Sequence, residues 1–160
     1  SLWKSFDNVV MKIELNKVYN KEIIDFSFGE LSREELIELF KDGRFASPFM
    51  EKMITKWFPE LTNVNKKHYD HVDIEGNKIE QKGFTRNGCK FIPSSMIGVG
   101  RHKDLNKLAE GIEEHYLTYC VVDIIEFPSI KIKFVDGKKL LSEYPSGEIR
   151  PNQREELFNE

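Results

Sequence analysis

The sequence has few of the features that identify whole classes of protein. Its 160 residues contain only two cysteines, Cys89 and Cys120, which is too few for a disulfide framework. No Cys and His residues have zinc-site spacing, and no run of eighteen or more apolar residues occurs. The first ten residues lack the basic and then apolar order of a secretion signal. We therefore expect a protein of the reducing cytoplasm that has no membrane partner.

Repeats, low-complexity tracts and linkers are also absent, so residues 1–160 are expected to fold as one domain. The net charge of -3 excludes a generally basic coat for nucleic acid, but the charge is unevenly distributed. Six basic residues stand against Asp104 alone between Gln81 and Lys107. A phosphate backbone would be attracted to such a segment, although a solvated run of charge has the same composition.

What is present is a charged hairpin over residues 69–85. Its centre, Glu75-Gly76-Asn77-Lys78, consists of turn-forming residues, and strand-forming residues flank it. Because side chains alternate along a strand, folding the hairpin brings Asp70 near Glu80, with Lys82 one step further along. Two carboxylates beside an ammonium group suit a divalent cation, since Mg²⁺ prefers oxygen ligands. A tighter turn places Asp73, rather than Asp70, across from Glu80.

Asp70 followed by Glu80-Gln81-Lys82 resembles the Asp…(Asp/Glu)-x-Lys signature of the PD-(D/E)XK nuclease superfamily. The nine intervening residues and the glycine turn are similar to those of small dimeric type II restriction endonucleases, although Tyr69 stands where that family has proline. The resemblance is strongest over residues 69–85 and extends weakly to about residue 126, so residues 69–126 are the expected catalytic core. It implies an α/β, restriction-endonuclease-like αβββαβ core, with a mixed sheet flanked by helices.

The resemblance also implies a function, which is Mg²⁺-dependent, sequence-specific hydrolysis of double-stranded DNA by a homodimer. Asp70 and Glu80 would hold Mg²⁺ together with the carbonyl oxygen of Gln81, and Lys82 would orient the attacking water and help to deprotonate it. Glu51, on the preceding helix, either joins this metal site or stabilises the helix dipole from the first turn.

DNA contacts are expected after the hairpin, at a turn and in a glycine-containing loop without Walker spacing. The small hydroxyl, amide and basic side chains there suit phosphates and base edges. An ordinary strand-to-helix loop has the same composition. The predicted DNA-binding residues are Arg86, Asn87, Ser94, Ser95, Arg101, His102 and Lys103.

Two other interpretations of the hairpin remain open. The chain is alternatively a different PD-(D/E)XK nuclease, such as a homing, repair or junction-resolving enzyme. Outside enzymes, it is a DNA-binding or protein-interaction module whose hairpin charges merely face water.

The remaining patterns predict elements around the hairpin. Ser32 and Glu35 form a capping box that begins a helix over residues 32–42, which Gly43 ends. Residues 1–30 are an expected accessory or dimerisation segment, with helix 32–42 as further interface. The other expectations are a helix starting at Ser47-Pro48, a third strand over 89–92, a helix over 103–117, a central strand over 117–127, and a hairpin at 135–138.

Overall fold

A computed structural model of the chain describes residues 12–159. Six strands form a mixed sheet: β1 (Val18–Glu22), β2 (Thr62–Asn63), β3 (His71–Val72), β4 (Lys78–Phe84), β6 (Thr118–Asp123) and β7 (Ser129–Asp136). Their order across the sheet is β1-β7-β6-β4-β3-β2. β4 and β6 are parallel, whereas the other neighbouring strands are antiparallel. A small second sheet pairs β5 (Cys89–Lys90) with β8 (Glu148–Ile149).

Helices lie on both faces of the main sheet. They are α1 (Arg33–Phe40), α2 (Gly43–Trp57), α3 (Leu105–His115), α4 (Gly137–Glu143) and α5 (Arg154–Leu157), with 3-10 turns at Ser94–Met96 and Pro151–Gln153. Among residues 12–159, no helix is both long and apolar enough to cross a membrane. The predicted α/β class is confirmed.

The sheet separates two apolar cores, because successive side chains of β6 point to opposite faces. Cys120 and Val122 belong to the core that contains the apolar stripe of α2. Tyr119 and Val121 belong to the core that contains the buried side of α3. The central strand that the apolar run predicts is therefore covered on both faces.

The first two helices differ in part from the prediction. The capping box of α1 is present, with Ser32 Oγ accepting from the Glu35 amide at 3.1 Å and Glu35 Oε1 accepting from the Ser32 amide at 2.9 Å. Gly43 does not end this helix, however, and instead begins α2. Asp42 caps α2 because its Oδ1 accepts from the Arg44 amide at 2.9 Å.

The predicted third strand is wrong in its partner. Residues 89–90 leave the main sheet and pair with β8, after a turn in which Gly88 has a φ of 85° and packs against the Ile149 carbonyl. β2, which precedes the hairpin, pairs with the edge of β3 that β4 leaves free, and so takes the place of the expected third strand in the main sheet.

The predicted hairpin at 135–138 is also wrong. Asp136 Oδ2 accepts from the Lys139 amide at 3.1 Å and caps α4, so a helix follows β7 directly.

The expected accessory segment 1–30 lies partly outside the described residues. Within its described part, β1 pairs with β7 at one edge of the main sheet. β2 lies at the opposite edge.

Candidate active site

The hairpin turn spans residues 73–77, because β3 and β4 pair with His71 opposite Ile79. Asp73 lies in the turn, where its Oδ1 accepts from the amides of Glu75 at 2.9 Å and Asn77 at 2.8 Å. Its Oδ2 accepts from Asn77 Nδ2 at 2.8 Å. The carboxylate of Asp73 is thus used within the turn.

Asp70 lies just before β3 and its carboxylate reaches across to β4. Its amide donates to the Ile79 carbonyl at 2.9 Å, and its Oδ2 accepts from the Gln81 amide at 2.9 Å. These two bonds bracket Glu80, whose side chain lines the same cleft as that of Asp70. The negative charge of Asp70 therefore acts on the Glu80 carboxyl group.

The Glu80 carboxyl group resists ionisation. Its burial, the hydrogen bond to Asp70 and the negative charge of Asp70 raise the pKa of Glu80 to about 9, against a small opposing effect of Lys82. Desolvation is the largest of these causes, since a buried carboxylate loses its hydration. At neutral pH Glu80 therefore keeps its proton, in a place where a cation would be stabilised.

Gln81 and Lys82 complete the triplet. Lys82 lies on the same face of β4 as Glu80, and its Nζ donates to the Ile92 carbonyl at 2.9 Å. In an extended strand, the amide and carbonyl of one residue point toward the same neighbouring strand. Because the Gln81 amide bonds to Asp70, the Gln81 carbonyl also lies on the Asp70 side of β4.

A buried polar network supports the hairpin from its other face. His71 is fully buried, with its Nε2 at 2.8 Å from Gln81 Oε1 and its Nδ1 at 3.4 Å from Asn63 Nδ2. An amide nitrogen donates and does not accept, so Nδ1 is the acceptor and Nε2 carries the proton. Asn63 Nδ2 also donates to the Asp70 carbonyl at 3.2 Å. This network connects the backbone of Asp70 to the side chain of Gln81.

The acidic pair opens into a cleft of about 450 Å³ between β4 and α3. Glu51 also lines this cleft, where burial and then the charge of Asp70 raise the pKa of its carboxyl group. Because α2 begins at Gly43, Glu51 lies in its third turn, and the interpretation as a first-turn residue is wrong. The predicted residues that line the cleft are Glu51, Asp70, Glu80, Gln81, Lys82, Ser94 and Ser95.

The other predicted DNA-binding residues lie elsewhere. Arg86 and Asn87 line a separate groove of about 920 Å³ at the start of α2, and Arg86 is paired with Glu38 at 3.5 Å. Arg101 and His102 are exposed in the loop before α3, and Lys103 lines a depression beside that loop.

Five cleft residues with basic side chains were not among the predicted site residues: Lys66, Lys67, His68, Lys107 and His115. Two sequence signals indicate them. The first three form a continuous run just before Asp70. Lys107, Gly111 and His115 are spaced four residues apart, and residues with this spacing share one face of a helix.

The residues of the cleft fit a Mg²⁺ ion. Mg²⁺ is usually held by one or two carboxylates together with waters and substrate phosphates, and Asp70, Glu80 and the Gln81 carbonyl supply such a donor set. Within residues 12–159, no group of three or more His, Cys, Asp or Glu side chains is already gathered for a metal.

No protein-family model, curated protein or solved structure matches this chain. The carboxyl groups of Asp70 and Glu80, the ammonium group of Lys82 and several further basic side chains line one cavity. Such an arrangement suits a phosphate-containing substrate next to a divalent cation.

Proposed function

We propose that the protein is a Mg²⁺-dependent endonuclease of the PD-(D/E)XK type that hydrolyses phosphodiester bonds in double-stranded DNA, as a sequence-specific type II restriction enzyme does. The observation that carries the proposal is that Asp70, Glu80 and Lys82 line one cleft, with the Asp70 carboxylate bonded to the backbone of β4 between the other two. Apart from β5, which pairs outside the main sheet, the elements follow one another as α2-β2-β3-β4-α3-β6, with β4 parallel to β6, and this supports the proposal further. That succession has the αβββαβ order that the family resemblance implies.

Asp70, Glu80 and the Gln81 carbonyl would hold the cation, which when bound supplies Lewis-acid stabilisation of charge on phosphate oxygens and lowers the pKa of water. The carboxylates must be ionised for this, so the proton that Glu80 holds would leave when the site is loaded. Lys82, held by the Ile92 carbonyl, then donates to the attacking water or to a phosphate oxygen. The buried network of His71 holds Gln81 in position during this step.

The homodimer is part of the proposal. One chain contains one such cleft, which cuts one strand at a time. Cutting both strands at a palindromic site requires two clefts related by a twofold axis. Sedimentation with and without DNA tests this state, and a persistent monomer would instead favour a nicking, repair or junction-resolving nuclease.

Incubation with mixed-sequence plasmid DNA and Mg²⁺, followed by gel electrophoresis, tests the function. Discrete bands that disappear when EDTA is added are the expected result. A smear would mean a nuclease without sequence specificity. DNA that stays uncut in Mg²⁺ and in Mn²⁺ would overturn the proposal and leave a binding module.

A further inference from the structure

Three lysines in the cleft have no acidic partner. Lys66, Lys67 and Lys107 line the same cavity as the acidic pair, and their side chains are exposed. Within the described part of the chain, no ion pair involves any of the three. Other lysines do form such pairs, for example Lys138 with Glu113 at 3.7 Å. The cleft therefore presents uncompensated positive charge beside its acidic pair.

The loop that carries Lys66 and Lys67 is fixed to Asp70. The Asp70 carbonyl accepts from the amides of Val64 at 2.8 Å and Asn65 at 3.1 Å, and the Lys66 amide donates to the Tyr69 carbonyl at 2.9 Å. These bonds fix the backbone of the loop that carries the two lysines beside Asp70.

The third lysine is on the opposite wall, and a stacking contact links the two walls. Lys107 is on α3, one turn before Gly111 and two before His115. The ring of His115 stacks on that of His68, with centroids 4.8 Å apart and planes 23° apart. This contact joins the end of α3 to the lysine-bearing loop, so the three ammonium groups frame one cavity.

We propose that Lys66, Lys67 and Lys107 form a phosphate-binding subsite for the nucleic-acid backbone, adjacent to the position of the scissile phosphate. The inference rests on the proposed nuclease function, and it assigns the strand contacts of that same cleft to residues outside the signature. Lysine contacts phosphate as a point charge and carries no sequence information, so this subsite contributes affinity and register but not base specificity.

Salt-dependent binding tests the subsite separately from cleavage. The triple variant Lys66→Ala, Lys67→Ala, Lys107→Ala is compared with the charge-matched control Lys56→Ala, Lys138→Ala, Lys139→Ala, whose positions lie outside the cleft. Binding of a short fluorescent DNA duplex is followed by anisotropy in EDTA at several salt concentrations. Circular dichroism establishes that both variants are folded.

Each lysine that contacts a phosphate adds about 0.9 to the steepness of log K against log salt concentration on B-DNA. We expect the cleft variant to bind more weakly, with a slope shallower by up to about 3, and the control variant to keep the slope of the unmodified protein. If the unmodified protein binds and cuts DNA but the two variants share one slope, the subsite is wrong while the nuclease function stands. If the unmodified protein neither binds nor cuts, the nuclease function itself fails.

Discussion

At the scale of single residues, the proton held by Glu80 determines the charge of the cleft. Burial and the adjacent carboxylate make ionisation of Glu80 unfavourable, and Lys82 compensates only in part. A divalent cation would remove this cost by replacing the proton. The hairpin is therefore better suited to the loaded state than to the empty one.

Asp70→Asn and Asp73→Asn separate the two aspartates of the hairpin. We expect Asp70→Asn to lower Mg²⁺-dependent DNA cleavage by at least about a hundredfold, since it removes a metal ligand and an electrostatic partner of Glu80. Asp73 accepts only within the turn, so Asp73→Asn should keep the cleavage rate and lose about 1 kcal/mol of stability. Initial rates of plasmid cleavage and urea denaturation measure the two effects. The opposite result would transfer the metal-ligand role to Asp73.

Loading of the site should be linked to pH. The folded-state pKa of Glu80 is about 9, above its ordinary value of 4.5, so the folded protein without metal holds a proton that the unfolded chain releases. Its stability therefore falls as the pH rises from about 4.5 toward 9, by at most about 1.4 kcal/mol per pH unit. Mg²⁺ displaces that proton, so its affinity should rise over the same range.

Isothermal titration of Mg²⁺ in two buffers with different ionisation enthalpies measures the proton release. About one proton per ion is expected near neutral pH. Glu80→Gln has no such proton and should release none, while its stability without metal should lose the dependence on pH. Equal heats in both buffers for the unmodified protein would contradict the linkage.

The acid-acid-lysine constellation is the part of the site that could be predicted from the sequence, because strand alternation and a glycine turn are local properties. The placement of Asp70 and Glu80 along one cleft follows from these two properties. The cleft walls could not be predicted in the same way. Lys66 and Lys107 come together only through the stacking of α3 on the loop, which is a tertiary contact between segments about forty residues apart.

At the scale of elements, the capping signals that failed did so because competing caps were stronger in context. Asp42 caps α2, so this helix begins before Ser47. Asp136 caps α4 at the place where Gly137 predicts a hairpin turn. The prediction of the third strand at 89–92 is wrong because the strand that takes this place, β2, contains only two residues, too few for an alternating pattern. Strand pairing is decided by long-range packing, and single-sequence patterns do not contain it.

Gly137 and Gly111 form a matched pair for testing the packing of α4 on α3. A Cβ at Gly137 would lie 2.5 Å from the Leu117 carbonyl oxygen and 2.8 Å from Ile112 Cγ2, whereas a Cβ at Gly111 meets nothing within 4 Å. We expect Gly137→Ala to lower the free energy of unfolding by about 1–3 kcal/mol through overpacking. Gly111→Ala should gain roughly 0.5–1 kcal/mol, since alanine favours a helix interior. Urea denaturation measures both, and a neutral Gly137→Ala would contradict the tight α4 start.

At the scale of the whole molecule, one buried ion pair attaches the C-terminal helix to the sheet. Asp123, at the end of β6, is 1% exposed, and its Oδ2 lies 2.6 Å from Arg154 Nε on α5. Asp123 Oδ1 also accepts from the Ile125 amide at 2.9 Å. The Asp123 carboxylate is therefore paired with the Arg154 guanidinium only while α5 stays in contact with the sheet.

Arg154→Ala should destabilise the protein by about 3–5 kcal/mol, because it leaves the Asp123 carboxylate buried without its partner. Arg44→Ala is the control, since its pair with Asp42 is exposed to solvent and should contribute little to stability. Thermal unfolding of the two variants measures the difference. Similar losses in both would mean that α5 is not held by this pair.

The parallel pairing of β4 with β6 also determines when the cleft comes into existence. The two strands are joined by a crossover that includes β5 and α3, so they associate only after a long loop has closed, a step that is entropically costly and slow in folding. A peptide limited to residues 69–85 would lack β6, so the Glu80 carboxyl group would stay hydrated and keep its ordinary pKa. Under the proposed function, a nascent chain released before β6 is made would accordingly have no assembled site with which to cut the nucleic acid around it.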